Sequence, residues 1–286
     1  MEFNILVEVA QRLFPEYEFL ERLPPSAQKA AFRVRDRTSG VELCLKVINP
    51  ESDLLYINRE IQALTRFDHK NVARLYRTID ESTEAGRRHC IIEHFIPGSD
   101  LSLRIDSGER WNLLEAAQFF LGVFEGLGHL ASHQLVHRDL KPSNIRVHPD
   151  GHPVLIDFGL ARHLSLPDLT RTGEGQRGNF AHFAPEQWLS ERRLIDPRTD
   201  LFAGGILLYR AVLGRHPFLD PGMRTPDELR DAVLKGTAHL EAPDFKALPR
   251  PWVVLLTKLL ERGMEARPAT ASLVVGRLQK IIEAVA

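Results

Sequence analysis

The spacing of apolar residues changes at Pro97-Gly98, and this change restricts the chain to a fold with two unlike parts. Ahead of it, short runs such as Phe32 and Val34 separated by arginines alternate apolar and polar side chains, which favours β-strands. Beyond it, apolar residues recur at helical spacing, most clearly over 112–134. We therefore predict an α+β chain: a small β-rich first part that carries one main helix, and a larger, mainly helical second part.

Turn residues and helix caps set the expected element boundaries. Residues 4–14 favour a helix with Asn4 as its N-cap, which ends at Pro15 because proline cannot continue it. This helix is expected to pack on the β-rich part rather than to bind a partner. The other expected elements are strands within 17–48 that turn at 36–40, a helix over 53–66, strands near 72–79 and 88–95 separated by a polar loop at 81–86, and a hairpin over 144–157 with its turn at 148–151.

The composition excludes several classes of protein. The chain has 286 residues and a formal net charge of −1, so it lacks the basic excess of a general nucleic-acid binder. Its two cysteines are too few for a disulfide framework or for a zinc site of their own. The longest stretch without Asp, Glu, Lys or Arg is the 12 residues from Gly126 to His137, whereas a membrane-spanning helix needs about 20 apolar residues. With no secretory signal at the N-terminus, we expect a cytoplasmic chain that does not bind a membrane.

An ordered set of polar residues carries the strongest functional signal. The segment His137–Asn144 reads HRDLKPSN, and Asp157-Phe158-Gly159 begins 13 residues after Asn144. The remaining members of the set are Lys46 in a strand, Glu60 in a helix, Glu186 in Ala-Pro-Glu, Asp200 before an apolar helix, and Arg267 before proline. Each short motif alone is weak, because such tripeptides are common in turns and single charges are usually solvated. Their order and spacing together resemble the eukaryotic-like serine/threonine protein kinase family over residues 17–282.

The resemblance implies the domain organisation. It predicts one bilobal kinase domain preceded by a short extension. Its boundaries are a helical extension at 1–16, an N-lobe at 17–95 and a C-lobe at 96–286, with the link between the lobes near 93–98.

The resemblance also implies the catalytic residues and the metal. Asp139 would accept the proton of the substrate hydroxyl, and Lys141 would contact the phosphoryl group transferred from ATP. Asn144 and Asp157 would hold Mg²⁺, which prefers carboxylate and carbonyl oxygens. Arg138 suggests control through the segment that follows the metal ligands, because a phosphate there could pair with it.

A second group of residues is implied in binding the nucleotide. Lys46 would hold the inner phosphates and Glu60 would pair with Lys46. The backbones of Glu93 and Phe95 would hydrogen-bond adenine, with Ile92 as the gatekeeper. Ala31 and Cys44 would sandwich the adenine ring, and Ser26 could offer a hydroxyl to the phosphates.

Other residues are implied in structural or regulatory roles. Phe158 and Gly159 complete the metal motif, Glu186 and Arg267 would form a buried ion pair, and Asp200 would brace the catalytic backbone. The candidate phosphorylation sites are Thr170 and Thr172, with Ser165 behind them.

The nucleotide loop departs from the family. Three glycines are expected there, but those places hold Pro24, Ser26 and Lys29, and the first glycine of the chain is Gly40. Proline has no N–H to donate to a phosphate. Lys29 could lend a positive charge to the phosphates, but we expect a solvated surface lysine. In addition, Asn179 stands where threonine is usual.

Three functions remain open at this point. The favoured one is a protein serine/threonine kinase that uses ATP and Mg²⁺, because the residues implied to touch metal, phosphate and hydroxyl are all present. Lys141 within Leu-Lys-Pro-Ser-Asn resembles serine/threonine rather than tyrosine kinases, and the long segment 157–186 resembles kinases with protein substrates. The alternatives are a pseudokinase scaffold or allosteric partner, and a kinase-fold nucleotidyltransferase. No motif indicates an oligomeric state.

Overall fold

The computed structural model describes residues 5–24, 29–49, 68–84, 86–157, 162–163, 180–189 and 192–284. The chain divides into two compact units. Unit 1 comprises 1–69 with 73–96, and unit 2 comprises 70–72 with 97–286. The α+β expectation is confirmed, since unit 1 is built on an antiparallel sheet and unit 2 is mostly helical.

Unit 1 contains a five-stranded antiparallel sheet in the order β1-β2-β3-β5-β4. Cross-strand ion pairs extend its last hairpin beyond the predicted strand ends: Arg87 bonds Asp80 at 3.1 Å and Arg88 bonds Glu81 at 2.6 Å. The polar loop expected at 81–86 is therefore largely strand. The strands are Tyr17–Arg22 (β1), Lys29–Asp36 (β2), Glu42–Ile48 (β3), Leu75–Thr83 (β4) and Gly86–His94 (β5).

The N-terminal helix Val7–Leu13 packs against this sheet, as expected. Ala10 and Phe14 are fully buried in the same apolar core as strands β1, β2, β3 and β5. The predicted N-cap at Asn4 is wrong, because extended Leu6 precedes the first helical residue. The helix ends ahead of Pro15, in agreement with the backbone limits of proline.

Unit 2 is organised around the long helix Leu113–Ser132, which packs against the helices Pro197–Leu213 and Ala271–Glu283. The side chain of Asn112 caps its start by accepting the Leu114 amide at 2.8 Å. The other helices are Ser102–Ile105, Pro185–Trp188, Pro226–Lys235, Pro243–Lys246 and Arg250–Leu259. Short 3₁₀ turns lie at Pro142–Asn144, Phe180–His182, Arg192–Leu194, Ala238–Glu241 and Met264–Ala266.

The predicted hairpin lies against this long helix. Strand β8 (Ile145–Val147) pairs antiparallel with β9 (Pro153–Leu155), and β6 (Ser99–Asp100) pairs with the other edge of β8. Two glycines of the helix allow the close approach, because a Cβ on Gly122 or Gly126 would come within 3.0 Å of Pro153 or Leu155. A further small sheet joins β7 (Leu135–Val136) to β10 (Arg162–His163). Among the described helices, none is long and apolar enough to cross a membrane.

Candidate functional site

The segment that the resemblance implies to be catalytic, His137–Asn144 in unit 2, starts at a fully buried histidine. His137 donates from Nε2 to the Ile156 carbonyl at 3.1 Å and accepts the Asp139 amide at Nδ1. These two contacts hold the imidazole ring in one orientation. The residue therefore holds the catalytic segment next to the end of the hairpin.

Asp200 braces the backbone of the same segment. One carboxylate oxygen accepts the His137 amide at 2.7 Å, and the other accepts the Arg138 amide at 2.9 Å. Burial raises the pKa of Asp200, while the nearby His137 and the two amide bonds act in the opposite direction. This placement agrees with the bracing role that the resemblance implies.

Two non-glycine residues of this region have left-handed backbones. Arg138 has φ of 68° and Asp157 has φ of 63°, conformations that cost energy for residues with a Cβ. Gln187 holds the first of them, because its side-chain amide donates to the Arg138 carbonyl at 2.9 Å. Gln187 was not predicted from the sequence; its position directly after Glu186 was the available signal.

The carboxylate of Asp139 is oriented by two neighbours. Lys141 donates to Oδ2 from Nζ at 2.7 Å, and Asn144 donates to the same oxygen from Nδ2 at 3.0 Å. Asn144 also bonds the Asp139 carbonyl at 2.8 Å. Within the described part of the chain, no hydrogen bond reaches Oδ1. The arrangement presents one carboxylate oxygen as a proton acceptor beside an ammonium group.

The hairpin brings the two expected metal ligands to one end. Asn144 precedes β8 and Asp157 follows β9, and the Ile156 amide donates to the Asn144 carbonyl at 3.0 Å. Because Nδ2 of Asn144 donates to Asp139, the Oδ1 atom of Asn144 is the side-chain oxygen that could bind the expected metal. A carboxylate and an amide oxygen form a donor set that fits Mg²⁺.

In unit 1, Lys46 lies on β3 with only 8% of its side chain exposed. Its Nζ donates to Oε1 of Glu93 at 2.8 Å, and Glu93 is 3% exposed. The sequence had suggested Glu60 as the partner, and Glu60 lies outside the described residues. Glu93, expected to act only through its backbone, thus contributes its side chain.

The strand register corrects the expected gatekeeper. Lys46 is opposite Ile91 and Cys44 is opposite Glu93, so these four residues share one face of the sheet. Ile92 is opposite Leu45 on the other face, where it is fully buried in the apolar core. Glu93, rather than Ile92, therefore stands on the face that carries Lys46.

The same register places Ala31 as expected but changes the interpretation of Phe95 and Lys29. Ala31 is directly opposite Lys46 and shares its face. The Phe95 amide donates to the Glu42 carbonyl at 3.1 Å, so strand pairing already uses the N–H expected to meet adenine. Lys29 is 7% exposed, which corrects the expectation of a solvated lysine: it is the first residue of β2 and pairs with Ile48 of β3.

The pair expected between Glu186 and Arg267 is present and buried. Two hydrogen bonds of 2.9 Å join the carboxylate to the guanidinium, and the Thr199 hydroxyl donates to Glu186 at 2.8 Å. Thr199 is a further residue that sequence reasoning did not single out. Several expected site residues lie outside the described part of the chain: Ser26, Phe158, Gly159, Ser165, Thr170, Thr172 and Asn179.

The sequence of this chain is similar to those of known protein kinases. The protein kinase domain family model matches residues 27–277. The DNA damage-responsive serine/threonine-protein kinase RqkA of Deinococcus radiodurans is 34% identical over 90% of this chain and 38% of its own length. PkaA of Streptomyces coelicolor, also a serine/threonine-protein kinase, is 30% identical over 91% of this chain and 49% of its own. PknB of Bifidobacterium longum, a probable serine/threonine-protein kinase, is 29% identical over 82% of this chain and 34% of its own length. The chain thus spans between a third and a half of these relatives.

Proposed function

Because the chain belongs to the protein kinase domain family, we propose that it transfers the γ-phosphoryl group of ATP to a serine or threonine hydroxyl of a protein, with Mg²⁺ as the metal. The observation that carries the proposal is the environment of Asp139. Its Oδ2 is held by Lys141 and Asn144, and Asp200 braces the backbone of the two residues directly before it. This is a preorganised proton acceptor beside a cation, as phosphoryl transfer requires.

The proposed reaction follows from these positions. The substrate hydroxyl oxygen attacks the γ-phosphorus while the bond from that phosphorus to the bridging oxygen of ADP breaks. The hydroxyl proton passes to Oδ1 of Asp139, and ADP leaves with the bonding electron pair. Lys141 stabilises the negative charge on the phosphoryl oxygens. Mg²⁺, held by Asn144 and Asp157, would neutralise phosphate charge.

The structure of unit 1 supports a revised set of adenine contacts. Since strand pairing uses the amides of His94 and Phe95, the next donor along the chain is the Ile96 amide, which makes no hydrogen bond to any described residue. We assign Ile96 N–H and the neighbouring His94 carbonyl to the base. Ala31 and Cys44 lie on the face of the sheet that carries Lys46, in agreement with their expected contact with adenine.

A transfer assay with Asp139→Asn tests the proposal. The wild-type chain, incubated with ATP labelled at the γ-phosphate and Mg²⁺, is expected to label itself or a generic basic protein. Asp139→Asn should reduce the rate by roughly 100-fold or more, because general-base catalysis contributes about that factor. Asp220→Asn, which changes an exposed turn residue, is the matched control and should retain the rate.

Two results would contradict this function. Equal background labelling by the wild type and Asp139→Asn, with nucleotide binding retained in a thermal shift assay, would favour a pseudokinase scaffold. Retention of label from the α-phosphate on protein would instead indicate nucleotidyl transfer. The observation behind the first alternative is Pro24, which lies two residues beyond the end of β1 and has no N–H to offer a phosphate.

A further inference from the structure

We propose that Glu93 is a positioning residue that holds the Lys46 ammonium group in the sheet as its counter-ion, so that nucleotide phosphates must compete with the Glu93 carboxylate for Lys46. The identity of the competing ligand rests on the proposed function. The ion pair itself rests on the geometry of unit 1 alone.

The pair is built into the pairing of β3 with β5. Glu93 lies opposite Cys44, and Cys44 is two residues from Lys46, so both charged side chains leave the same face of neighbouring strands. Nζ and Oε1 are 2.8 Å apart, a charge-assisted hydrogen bond. With exposed fractions of 8% and 3%, the pair is screened far less than a surface pair.

The position of Glu93 along the sheet determines towards which end of β3 the Lys46 ammonium group is attracted. The register runs from Lys46 opposite Ile91 to Cys44 opposite Glu93, and then to Leu43 opposite His94. The carboxylate thus draws the ammonium towards the Cys44 end of β3. That end is where the resemblance places the base rather than the phosphates.

This pairing should weaken nucleotide binding. The pair has no net charge, so Lys46 offers the phosphates less attraction than an unpaired ammonium would. If phosphates take Lys46 away, Glu93 is left as a buried carboxylate without this partner, and burying an unpaired charge is costly. Both effects disappear when Glu93 loses its charge but keeps its shape.

Nucleotide affinity of the Glu93→Gln variant tests the proposal. The Kd for ATP with Mg²⁺, measured by calorimetry on the whole chain, is expected to fall about tenfold, and the KM for ATP should fall without a rise in kcat. Glu42→Gln is the matched control. Its carboxylate pairs with Arg33 and Arg35 in the same sheet but is partly exposed, and its Kd should equal that of the wild type. An unchanged or higher Kd for Glu93→Gln overturns the proposal.

A stability cycle tests the counter-ion role without nucleotide. The single variants Lys46→Met and Glu93→Met should each unfold at lower urea than the wild type, because each removes one member of a buried, charge-assisted hydrogen bond. The double variant should be at least as stable as either single variant; simple additivity of the two losses would overturn the pairing. If neither the wild type nor the Glu93→Gln variant binds nucleotide, but the urea unfolding of the Lys46 and Glu93 variants is still non-additive, the proposed function fails while the ion pair stands.

The tip of the β8–β9 hairpin carries two histidines and an aspartate, and the geometry points to a transition-metal site there. Nδ1 of His148 lies 3.0 Å from Oδ1 of Asp150, and Nδ1 of His152 also contacts that oxygen. The three ligand atoms all lie within 4.8 Å of one another. We assign this cluster to Zn²⁺ or a similar divalent ion.

The donor set and the turn both favour such an ion. Two imidazole nitrogens and one carboxylate oxygen suit Zn²⁺, whereas Mg²⁺ prefers oxygen ligands alone. The turn is already formed: Gly151 has φ of 91°, and Asp150 accepts the His152 amide at 3.1 Å.

Titration with Zn²⁺ alone, against a competing chelating dye, tests this site. The wild-type chain should bind one Zn²⁺ ion that His152→Asn and Asp150→Asn each weaken at least tenfold. Asp220→Asn is the control, because Asp220 caps a comparable turn by accepting the Gly222 amide at 2.8 Å. Equal Zn²⁺ affinity in the wild type and in both hairpin variants, or no binding by the wild type, overturns the assignment.

Discussion

Glu186 and Arg267 lie 81 residues apart in the chain and meet in the interior of unit 2 through two hydrogen bonds of 2.9 Å. The guanidinium also donates to the carbonyl oxygens of Glu261, Arg198 and Arg262, and it lies 4.8 Å from the ring centre of Phe202. The pair thus ties the segment that follows the catalytic loop to the C-terminal helices. Its hydrogen bonds offset the cost of burying both charges.

Removal of one partner of this pair should destabilise the protein strongly. Arg267→Met is expected to lower the free energy of unfolding by ~3–5 kcal/mol, because it leaves Glu186 as a buried, unpaired carboxylate. Urea unfolding followed by circular dichroism measures the loss. Arg230→Met is the control, since that arginine pairs with Asp227 and Asp231 on the surface and should change stability by less than ~1 kcal/mol. Equal losses for the two variants would contradict this account.

Gly98→Ala should also destabilise unit 2. Gly98 has φ of 98°, and a Cβ there would lie 2.0 Å from the Val147 carbonyl oxygen. The strained backbone alone costs ~1–3 kcal/mol, and relief of the clash requires the start of the β6–β8 pairing to move. Gly40→Ala separates the two causes, because Gly40 has φ of 72° but no atom within 4 Å of the added Cβ. A smaller loss for Gly98→Ala than for Gly40→Ala, in thermal unfolding, would contradict the clash.

Much of the fold could be predicted because local signals agreed with tertiary structure. The hairpin over 144–157 combined β-branched residues with an Asp-Gly turn, and the helix over 112–134 had both a cap and a continuous apolar face. The HRD segment and Asp200 were placed correctly relative to one another by the resemblance.

The sequence does not show which side chains of β5 point to the apolar core. Cys90, Ile91, Ile92 and Glu93 are consecutive and all buried, so no alternation of polar and apolar residues marks which of them point to the core. A shift of one residue in register moves every side chain to the other face, so the sequence alone does not decide whether Ile92 or Glu93 shares the face of Lys46. The burial of Lys29 could not be predicted either, because a single lysine in a sequence gives no signal that it is buried.

Asp200→Asn should lower the rate of phosphoryl transfer by more than the loss of unfolding free energy can explain. Asparagine keeps one acceptor but turns an NH₂ group towards one of the two backbone N–H donors, at His137 or Arg138. We expect a loss of ~1–3 kcal/mol in unfolding free energy and at least a tenfold loss of transfer rate, because the catalytic backbone loses its brace. Asp196→Ala is the control: Asp196 caps the helix Pro197–Leu213 that contains Asp200, so the loss of this cap should lower stability and leave the rate unchanged. A full rate for Asp200→Asn in a protein of reduced stability would argue against bracing.

His239 gives the unfolding free energy a dependence on pH. Its ring lies edge-on to Tyr209, Phe218 and Phe245, at centroid distances of 6.1, 5.3 and 5.6 Å. Neither ring nitrogen has a hydrogen-bond partner among the described residues. Burial among these rings lowers the pKa of His239 to about 4. The folded protein therefore keeps the imidazole neutral at a pH at which the unfolded chain takes up a proton.

The direction of the effect follows from proton counting. Between the unfolded pKa of about 6.5 and the folded pKa of about 4, the unfolded state binds more protons, so acidification favours unfolding by up to ~1.4 kcal/mol per pH unit for this residue. His239→Phe removes that contribution while keeping an aromatic ring in place. Urea unfolding at pH 7.5 and pH 5 should show a loss on acidification that is smaller by ~2 kcal/mol in the variant than in the wild type. His216, whose pKa burial also lowers to about 4, still titrates in both proteins, so some loss remains in the variant. An identical loss in the two proteins would mean that the His239 ring is protonated equally in the folded and unfolded states.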